Sequence, residues 1–271
     1  MPDPEGSCDP VLAKWHGIEV SADLRLGGAA CIPQGLRKGQ PMYVINAPKQ
    51  ASLAVQGSSD RFPVRRIFCV GRNYEAHARE MGKDPTREAP FFFTKPADAA
   101  VDTPFTLPYP KLTEDLHHEI ELVIALGKGG SNIAEADVMT HVWGAAVGLD
   151  MTRRDLQGEA KKMGRPWDWG KAFDNSAPIS AIKPIADVPS VETGRIWLSV
   201  NGELRQDADL SDLIWSVRET VAILSRAMML APGDLIMTGT PAGVGAVVPG
   251  DVITGGVDGI GTLEVTIGDR A

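Results

Sequence analysis

The chain has 271 residues, which is enough for one large domain, or one domain with an appendage, and for a buried core with an active-site cleft. It carries 27 Lys and Arg against 35 Asp and Glu, a formal net charge of −8 without a basic run, which excludes nucleic acid and membrane surfaces as the main partner. No apolar stretch approaches the length of a membrane span and the N-terminus has no signal-peptide pattern, so we expect a cytoplasmic protein that acts on a small molecule.

The first part of the chain contains only short hydrophobic patterns flanked by Gly and Pro, and the pattern sharpens at Val64. We therefore expect residues 1–62 to be an N-terminal extension, peripheral or partly disordered, and residues 63–271 to form the catalytic domain. Met42 opens a run that resembles a natural start, so residues 1–41 are interpreted as an upstream addition.

Short strands joined by tight turns dominate the rest of the chain, as its 29 Gly and 20 Pro favour. The strand candidates, rich in β-branched and aromatic residues, are VRRIFCVG, PFFFTKP, HEIELVIALG, HVWGAAVGLD and the glycine-separated segments after residue 234. The helix candidates are NYEAHAREMG, MTRRDLQGEAKKMG, which ends at Gly164, and the longer amphipathic SDLIWSVRETVAILSRAMML, which Ser211 or Asp212 would cap. Because helices and strands do not alternate, we expect a mostly β (α+β) fold.

Two glutamates on one strand candidate, Glu119 and Glu121, form a candidate metal site. Side chains at i and i+2 of a strand project from the same face, where one cation can bridge two carboxylates, and the apolar residues on the opposite face predict a half-buried strand. The alternative is a pair on the solvent face of an antiparallel strand. Asp150 ends the apolar run HVWGAAVGLD, where a carboxylate also needs a partner. The three cysteines lack Cys-x-x-Cys spacing, and three oxygen ligands suit Mg²⁺ or Mn²⁺. We expect His117 and His118 to support these carboxylates instead of binding the metal.

Three further features point to chemistry, each with a plainer alternative. His77 and Glu80 lie three residues apart, so on a helix the carboxylate would orient the imidazole as a base; such pairs also occur as ordinary surface pairs. Lys171 would meet a developing negative charge or be solvated. The glycine-rich residues 238–245 offer backbone N–H groups to a carboxylate but do not match a phosphate loop.

Seven motifs follow one another along residues 60–268: GRNYEAHAREMG, FFFTKP, HHEIELVIALGK, GLDMTRRDLQ, GRPWDWGKAFD, SVNGE and MTGTPAGVG. In this order the set resembles the fumarylacetoacetate hydrolase family, in its small acylpyruvase-like branch. The segments FPVRRIFCVGRNYEAHAREMG and GDVITGGVDGIGTLEVTIGD are most similar to the members of that branch that cleave fumarylpyruvate. The resemblance implies a mixed β-sandwich roll of the family's C-terminal domain type, with a Mg²⁺ or Mn²⁺ site at its open end, in a homodimer.

The resemblance also implies roles for individual residues. The metal ligands would be Glu119, Glu121 and Asp150, and the catalytic residues would be Lys171 with the dyad His77 and Glu80 on a mobile lid. The substrate-binding residues would be Arg72, Lys95, Arg154, Gln157 and Thr240.

The implied reaction is metal-dependent hydrolysis of the C–C bond of an acylpyruvate, a 2,4-diketo acid; fumarylpyruvate would give fumarate and pyruvate in gentisate-type aromatic degradation. The cation would act as a Lewis acid, His77 would take a proton from the attacking water, and Lys171 would stabilise the pyruvate enolate. The same electron sink also fits an oxaloacetate decarboxylase or a hydroxymuconate-type isomerase or decarboxylase. A non-enzymatic β protein with a structural cation is the alternative of another class, but it would need neither the dyad nor Lys171.

Overall fold

The computed structural model describes residues 43–75 and 88–270. By its internal contacts the chain divides into two units, residues 1–47 and 48–271. Residues 43–47, the described part of the first unit, are exposed. Residues 1–41, which were interpreted as an upstream addition, lie outside the described residues. So does most of the predicted helix at residues 73–82, including His77 and Glu80.

Strands make up most of the regular structure, which confirms the mostly β fold class. In chain order they are β1 (Ser52–Ala54), β2 (Arg61–Pro63), β3 (Arg66–Val70), β4 (Phe92–Lys95), β5 (Ala100–Asp102), β6 (Phe105–Tyr109), β7 (Leu116–His118), β8 (Ile120–Leu126), β9 (Val142–Leu149), β10 (Thr152–Arg153), β11 (Ala177–Ile179), β12 (Lys183–Pro184), β13 (Arg195–Val200), β14 (Glu203–Asp209), β15 (Asp234–Met237), β16 (Gly245–Val247), β17 (Val252–Val257) and β18 (Gly261–Arg270).

Helices in the described ranges are short. They are α1 (Arg154–Met163), α2 (Asp168–Lys171) and α3 (Val217–Ala227), with 3₁₀ turns at Ala97–Ala99, Glu135–Thr140, Ile185–Asp187 and Leu210–Asp212. As predicted, α1 ends at Gly164, which adopts a left-handed conformation at φ 64°. No helix in the described part of the chain is both long and apolar enough to span a membrane.

Two sheets pack face to face and enclose the main core. The larger runs β4-β3-β15-β8-β9-β11-β5, with β12 added to β9, and the smaller runs β14-β13-β17-β18-β6. Within the larger sheet, β3 and β15 are parallel, whereas β8 pairs antiparallel with both β15 and β9. Gly255 of β17 permits the sheets to approach, because a Cβ there would lie 2.5 Å from Ile120 Cδ1 of β8. A small sheet, β10-β7-β16, lies beside the point where the site residues gather.

The strand that carries Glu121 is buried over its whole length, and the expected half-buried strand, with its solvent-facing alternative, is therefore wrong. Ile120, Leu122 and Ile124 join the core shared with the smaller sheet, whereas Val123 and Ala125 join a second cluster on the other face. The central position of β8 explains this burial, since strands covered on both faces read as continuous apolar runs.

The β1–β2 hairpin is part of the second unit. Leu53 is fully buried in the cluster that also contains Ile182, and Val55 forms a parallel bridge with Ile182. The domain boundary expected after residue 62 stays a prediction, and residues 48–62 belong to the same compact unit as the rest.

The amphipathic helix α3 begins later than expected. Residues 210–212 form a separate 3₁₀ turn capped by Asp209, and the cap of α3 is Ser216, not Ser211 or Asp212. The Ser216 hydroxyl accepts from the Glu219 amide at 3.3 Å, and the Glu219 carboxylate accepts from the Ser216 amide at 3.1 Å, which completes a capping box. At 11 residues α3 is scarcely longer than α1.

This cap generates a stability prediction. Replacement Ser216→Ala removes the acceptor for a helix N-terminal amide and is expected to lower the free energy of unfolding by about 1 kcal/mol, measured by urea denaturation. The matched control is Ser211→Ala, because that hydroxyl bonds an exposed carboxylate outside the helix. An equal loss in both variants would contradict the assignment of the cap.

Candidate active site

Three carboxylates meet where β8 begins and β9 ends. The antiparallel register pairs Ile120 with Leu149, so Glu119 and Asp150, the residues that flank this pair, are neighbours, and the Asp150 amide donates to the Glu119 carbonyl at 2.8 Å. Glu119, Glu121 and Asp150 are all buried, and one carboxylate oxygen from each lies within 4.8 Å of the others. The i and i+2 spacing and the strand-end aspartate thus converge as the sequence predicted.

Three cations neutralise this cluster. Lys171 Nζ lies 2.6 Å from Asp150 Oδ2 and 2.8 Å from Glu119 Oε2. Lys95 Nζ lies 2.8 Å from Asp150 Oδ1, and Arg154 forms an ion pair with Glu119. Lys171 also donates to the Thr152 hydroxyl at 2.6 Å. Each of these ion pairs involves Glu119 or Asp150.

Glu121 differs from its two neighbours, because within the described ranges its partner is a backbone amide and no Lys or Arg. The amide of Gly239 donates to Glu121 Oε2 at 2.7 Å. Gly239 adopts φ 102°, and a Cβ there would lie 2.7 Å from Asn73 Cβ, so both the conformation and the space require glycine. Asn73 fixes this loop by donating to the Thr238 carbonyl at 2.8 Å.

The electrostatics of the cluster favour an additional positive charge. Burial raises the pKa of Glu121 well above its ordinary value, and the nearby carboxylates of Asp150 and Glu119 raise it further. Burial lowers the pKa of Lys171, but Asp150 and Glu119 outweigh it, so the pKa is raised and the ammonium stays charged. Asp150 Oδ1 has no hydrogen-bond partner among the described residues, since its contact with Lys95 lacks hydrogen-bond geometry.

The residues present fit a divalent cation. The cluster offers three buried carboxylates as metal ligands. Asp150 has an oxygen without a hydrogen bond to the described residues, and Glu121 has a raised pKa. Such oxygen ligands match the chemistry of Mg²⁺ and Mn²⁺ and not that of zinc. Neither His117 nor His118 belongs to this group of ligand atoms. The structure therefore supports oxygen ligation, and the supporting role expected for both histidines stays a prediction.

A cavity of about 20 Å³ opens beside the carboxylates. Its lining includes the predicted site residues Arg72, Glu119, Glu121, Asp150, Arg154, Gln157, Lys171 and Thr240. Arg154 Nη1 donates to Gln157 Oε1 at 2.6 Å, so these two side chains hold each other at the wall of the cavity. The dyad His77 and Glu80 lies outside the described residues.

Lys95 pairs with the carboxylate cluster from outside the carboxylate cavity, and the substrate contact expected of it stays a prediction. Its ammonium is fully buried, donates to the Met151 carbonyl at 3.1 Å and to the Lys171 carbonyl, and does not line the carboxylate cavity. The ammonium also lies 5.5 Å from the centroid of the Phe173 ring. Lys95 therefore holds Asp150 and the end of α2 together from behind.

Sequence analysis missed Gln206, a fully buried side chain on β14. Its Oε1 accepts from the Ile120 amide at 3.2 Å and lies 3.0 Å from His118 Nδ1, and its Nε2 donates to the Thr240 hydroxyl at 2.8 Å. Gln206 thereby connects the start of β8 to the loop that carries Thr240. A polar residue among exposed neighbours in ELRQDAD gives no sequence signal of this role, which depends on the packing of the two sheets.

The comparison with known proteins decides the family. Residues 66–268 match the family model described as Fumarylacetoacetate (FAA) hydrolase C-terminal. The chain belongs to this family. The family that the seven motifs predicted is therefore confirmed, and so is the fold that the resemblance implied.

Individual members of the fumarylacetoacetate hydrolase family are similar over most of their length. Fumarylpyruvate hydrolase of Ralstonia sp is 48% identical over 185 residues, which cover 68% of this chain and 96% of that protein. Mitochondrial oxaloacetate tautomerase FAHD1 of Rattus norvegicus is 42% identical over 203 residues, which cover 75% of this chain and 91% of that protein. The crystal structure of fumarylpyruvate hydrolase from Pseudomonas aeruginosa in complex with Mn²⁺ and pyruvate has a TM-score of 0.83 and 53% identity, and covers 84% of this chain and 100% of that chain.

The buried histidine next to the site generates a pH prediction. Burial lowers the pKa of His118 to about 4, so below the ordinary histidine pKa the unfolded chain takes up a proton that the folded chain does not. The free energy of unfolding is then expected to fall by about 2 kcal/mol between pH 7 and pH 5 on account of this residue.

The measurement compares urea denaturation of the wild type and His118→Asn at both pH values. Asparagine keeps an N–H that can donate to Gln206 but does not titrate, so the variant is expected to lose less stability on acidification. Equal losses in the two proteins would show that the fold does not lower the pKa of His118.

Proposed function

We propose that this protein hydrolyses the C–C bond of an acylpyruvate, with fumarylpyruvate as its substrate and fumarate and pyruvate as products. The observation that carries the proposal is the group of three buried carboxylates with Lys171 at its centre, in the wall of a cavity. The identities of 48% and 53% to two fumarylpyruvate hydrolases support this choice of substrate.

The charges of the site suit an anionic substrate once a divalent cation is bound. Three cationic side chains, paired with Glu119 and Asp150, already balance the charge of the three carboxylates, so Mg²⁺ or Mn²⁺ at the cluster adds positive charge in excess. When bound, the cation would supply Lewis acidity towards the carboxylate and 2-oxo oxygens of the pyruvate half. The Mn²⁺ and pyruvate in the Pseudomonas enzyme support this arrangement.

The protein's own side chains would then bind the substrate and move its protons. Lys171 keeps its proton and acts as a hydrogen-bond donor and positive charge towards the enolate oxygen. Arg154 and Gln157, held together at the cavity wall, would orient the substrate carboxylate, and Thr240 and Arg72 would complete the wall.

Hydrolysis also needs a base, and we assign this role to His77 with Glu80 as its orienting carboxylate. His77 would take a proton from water as the water oxygen bonds to the 4-carbonyl carbon. The C3–C4 bond then breaks, its electron pair goes to C3 of the pyruvate enolate, and a proton returned to C3 completes the balance.

A second candidate function is favoured by one comparison. The 42% identity to an oxaloacetate tautomerase supports proton-shuttling chemistry on oxaloacetate, close to the oxaloacetate decarboxylase and hydroxymuconate-type isomerase alternatives. These reactions use the same cation and Lys171 but no attacking water. A purely structural cation site is disfavoured, because it would need neither a lysine inside the carboxylate cluster nor an adjoining cavity.

The setting of the enzyme is part of the proposal. We infer a cytoplasmic homodimer that takes a 2,4-diketo acid and has no nucleic-acid or membrane partner, in keeping with the net charge of −8. Light scattering during size-exclusion chromatography would give the mass of a dimer, whereas a monomeric mass would refute that part.

Removal of the metal provides the first test of this function. Chelation is expected to abolish hydrolysis of fumarylpyruvate, followed as loss of its ultraviolet absorbance, and Mg²⁺ or Mn²⁺ is expected to restore it. Glu121→Gln should demand more metal for half-maximal activity, whereas the exposed Glu264→Gln serves as the matched control. Full activity in a metal-free preparation would contradict the proposed metal-dependent hydrolysis.

Loss of the base separates the two candidate functions. His77→Ala is expected to lower kcat for fumarylpyruvate by about 10²–10⁴-fold, because it removes the general base for water. Decarboxylation of oxaloacetate needs no attacking water and should fall less, which kinetic assays with both substrates would measure. Equal losses with the two substrates would mean that His77 does not activate water.

A further inference from the structure

A second cavity adjoins the carboxylate cavity, with which it shares lining residues. It has a volume of 450 Å³, and we call it the aromatic slot because Phe91, Phe93 and Trp167 line it. Phe93, Trp167 and Lys171 line both the slot and the carboxylate cavity. Two other cavities, of 830 and 500 Å³, share no lining residue with the carboxylate cavity. Of these cavities, the slot is therefore the one placed to receive the part of the substrate that extends beyond Lys171.

The rings of the slot suit a flat conjugated group. Trp167 stands edge-on to Phe91, with ring centroids 5.3 Å apart and planes at 86°, and is tilted against Phe93 at 5.7 Å. Lys171 Nζ lies 5.0 Å from the Phe93 centroid, which marks the inner end of the slot. Aromatic walls of this kind stabilise planar acyl chains by apolar contact.

The outer end of the slot carries a weakly engaged guanidinium, that of Arg165. Its described ion-pair partner, Glu159, is 3.9 Å away, and both side chains are about 60% exposed (61% and 62%), so the pair contributes little and can yield to another anion. Asp168 also lines the slot and opposes an anionic guest. Arg165 follows Gly164, and its amide donates to the Ala160 carbonyl at 2.9 Å, so the end of α1 fixes its backbone at the slot.

Two further cations border the same rings. Arg72 lies over Phe91 at 5.2 Å, and Lys161 lies 6.0 Å from the Trp167 centroid; both also line the carboxylate cavity. In a chain of net charge −8, cations placed around one opening create a local field that attracts a substrate with negative charge at both ends.

We propose that the aromatic slot binds the acyl group of the acylpyruvate, and that Arg165 is a specificity-determining residue for acyl groups that end in a second carboxylate. The inference rests on the proposed function and deepens it. The cationic groups inside the carboxylate cavity face the pyruvate half, so a distal carboxylate needs a cation of its own. An acetyl group fills less of the slot and has no charge for Arg165 to bind.

The test compares fumarylpyruvate with acetylpyruvate in the metal-loaded enzyme. Arg165→Met keeps most of the unbranched apolar stem of the side chain but removes its charge. It is expected to lower the ratio of kcat/KM for fumarylpyruvate to kcat/KM for acetylpyruvate about tenfold, the effect of one charge-assisted hydrogen bond. Arg165→Lys should restore most of the ratio. The matched control is Arg226→Met, an exposed arginine at the end of α3 that lines none of the cavities above.

The outcomes separate the inference from the function on which it rests. A fall in the ratio with Arg165→Met, absent from Arg226→Met, supports the slot as the acyl site. An unchanged ratio, or an equal fall for both substrates, overturns the role of Arg165 while hydrolysis by the wild type upholds the proposed function. A wild type that cleaves neither substrate refutes the function itself.

Discussion

Three carboxylates held together away from water are the constraint on which the rest of this structure depends. Burying one unpaired charge is costly, and three of the same sign repel one another as well. The fold meets this cost with Lys171, Lys95 and Arg154, but these cations pair with Glu119 and Asp150. Among the residues that the structure describes, Glu121 is left with a backbone amide, and its pKa is raised, which is why the cluster favours a divalent cation.

The backbone is arranged to hold this cluster rigidly. The antiparallel register of β8 and β9 sets Glu119 beside Asp150, and both strands lie in the centre of a sheet that is covered on its two faces. A loop that only glycine can form at residue 239 brings its amide to Glu121. Gln206 then ties the smaller sheet to the start of β8. Sites supported in this way lose little order when a ligand binds.

Much of this arrangement could be predicted from the sequence, because its signals are local. The i and i+2 spacing predicted the shared face of Glu119 and Glu121, and the end of an apolar run predicted the place of Asp150. The start of α3 was missed because Ser211 and Asp212 are also good helix caps. Ser216 is the cap because it forms a capping box with Glu219. The expectation that β8 is half buried was wrong, because the alternation of polar and apolar residues does not reveal what covers the polar face of a strand.

The remaining features depend on contacts between distant segments. Gln206 lies 86 residues from Ile120, whose amide donates to it, and Lys95 lies 76 residues from Lys171, to whose carbonyl it donates. No spacing pattern in the sequence predicts either contact. The aromatic slot likewise combines the strand at residues 92–95 with the turn before α2. Such pairings follow from the sheet order, which hydrophobic patterns do not specify.

The central claim is that the carboxylate cluster binds one divalent cation, and calorimetric titration of the metal-free protein with Mn²⁺ tests it most directly. The account predicts one Mn²⁺ per chain, with a rise in the thermal unfolding midpoint as the ion binds the folded state. Asp150→Asn, which removes one ligand charge, is predicted to weaken this binding, and the exposed Glu264→Gln to leave it unchanged. Wild-type protein that binds no Mn²⁺, or an Asp150→Asn variant that binds it as tightly, would contradict the account.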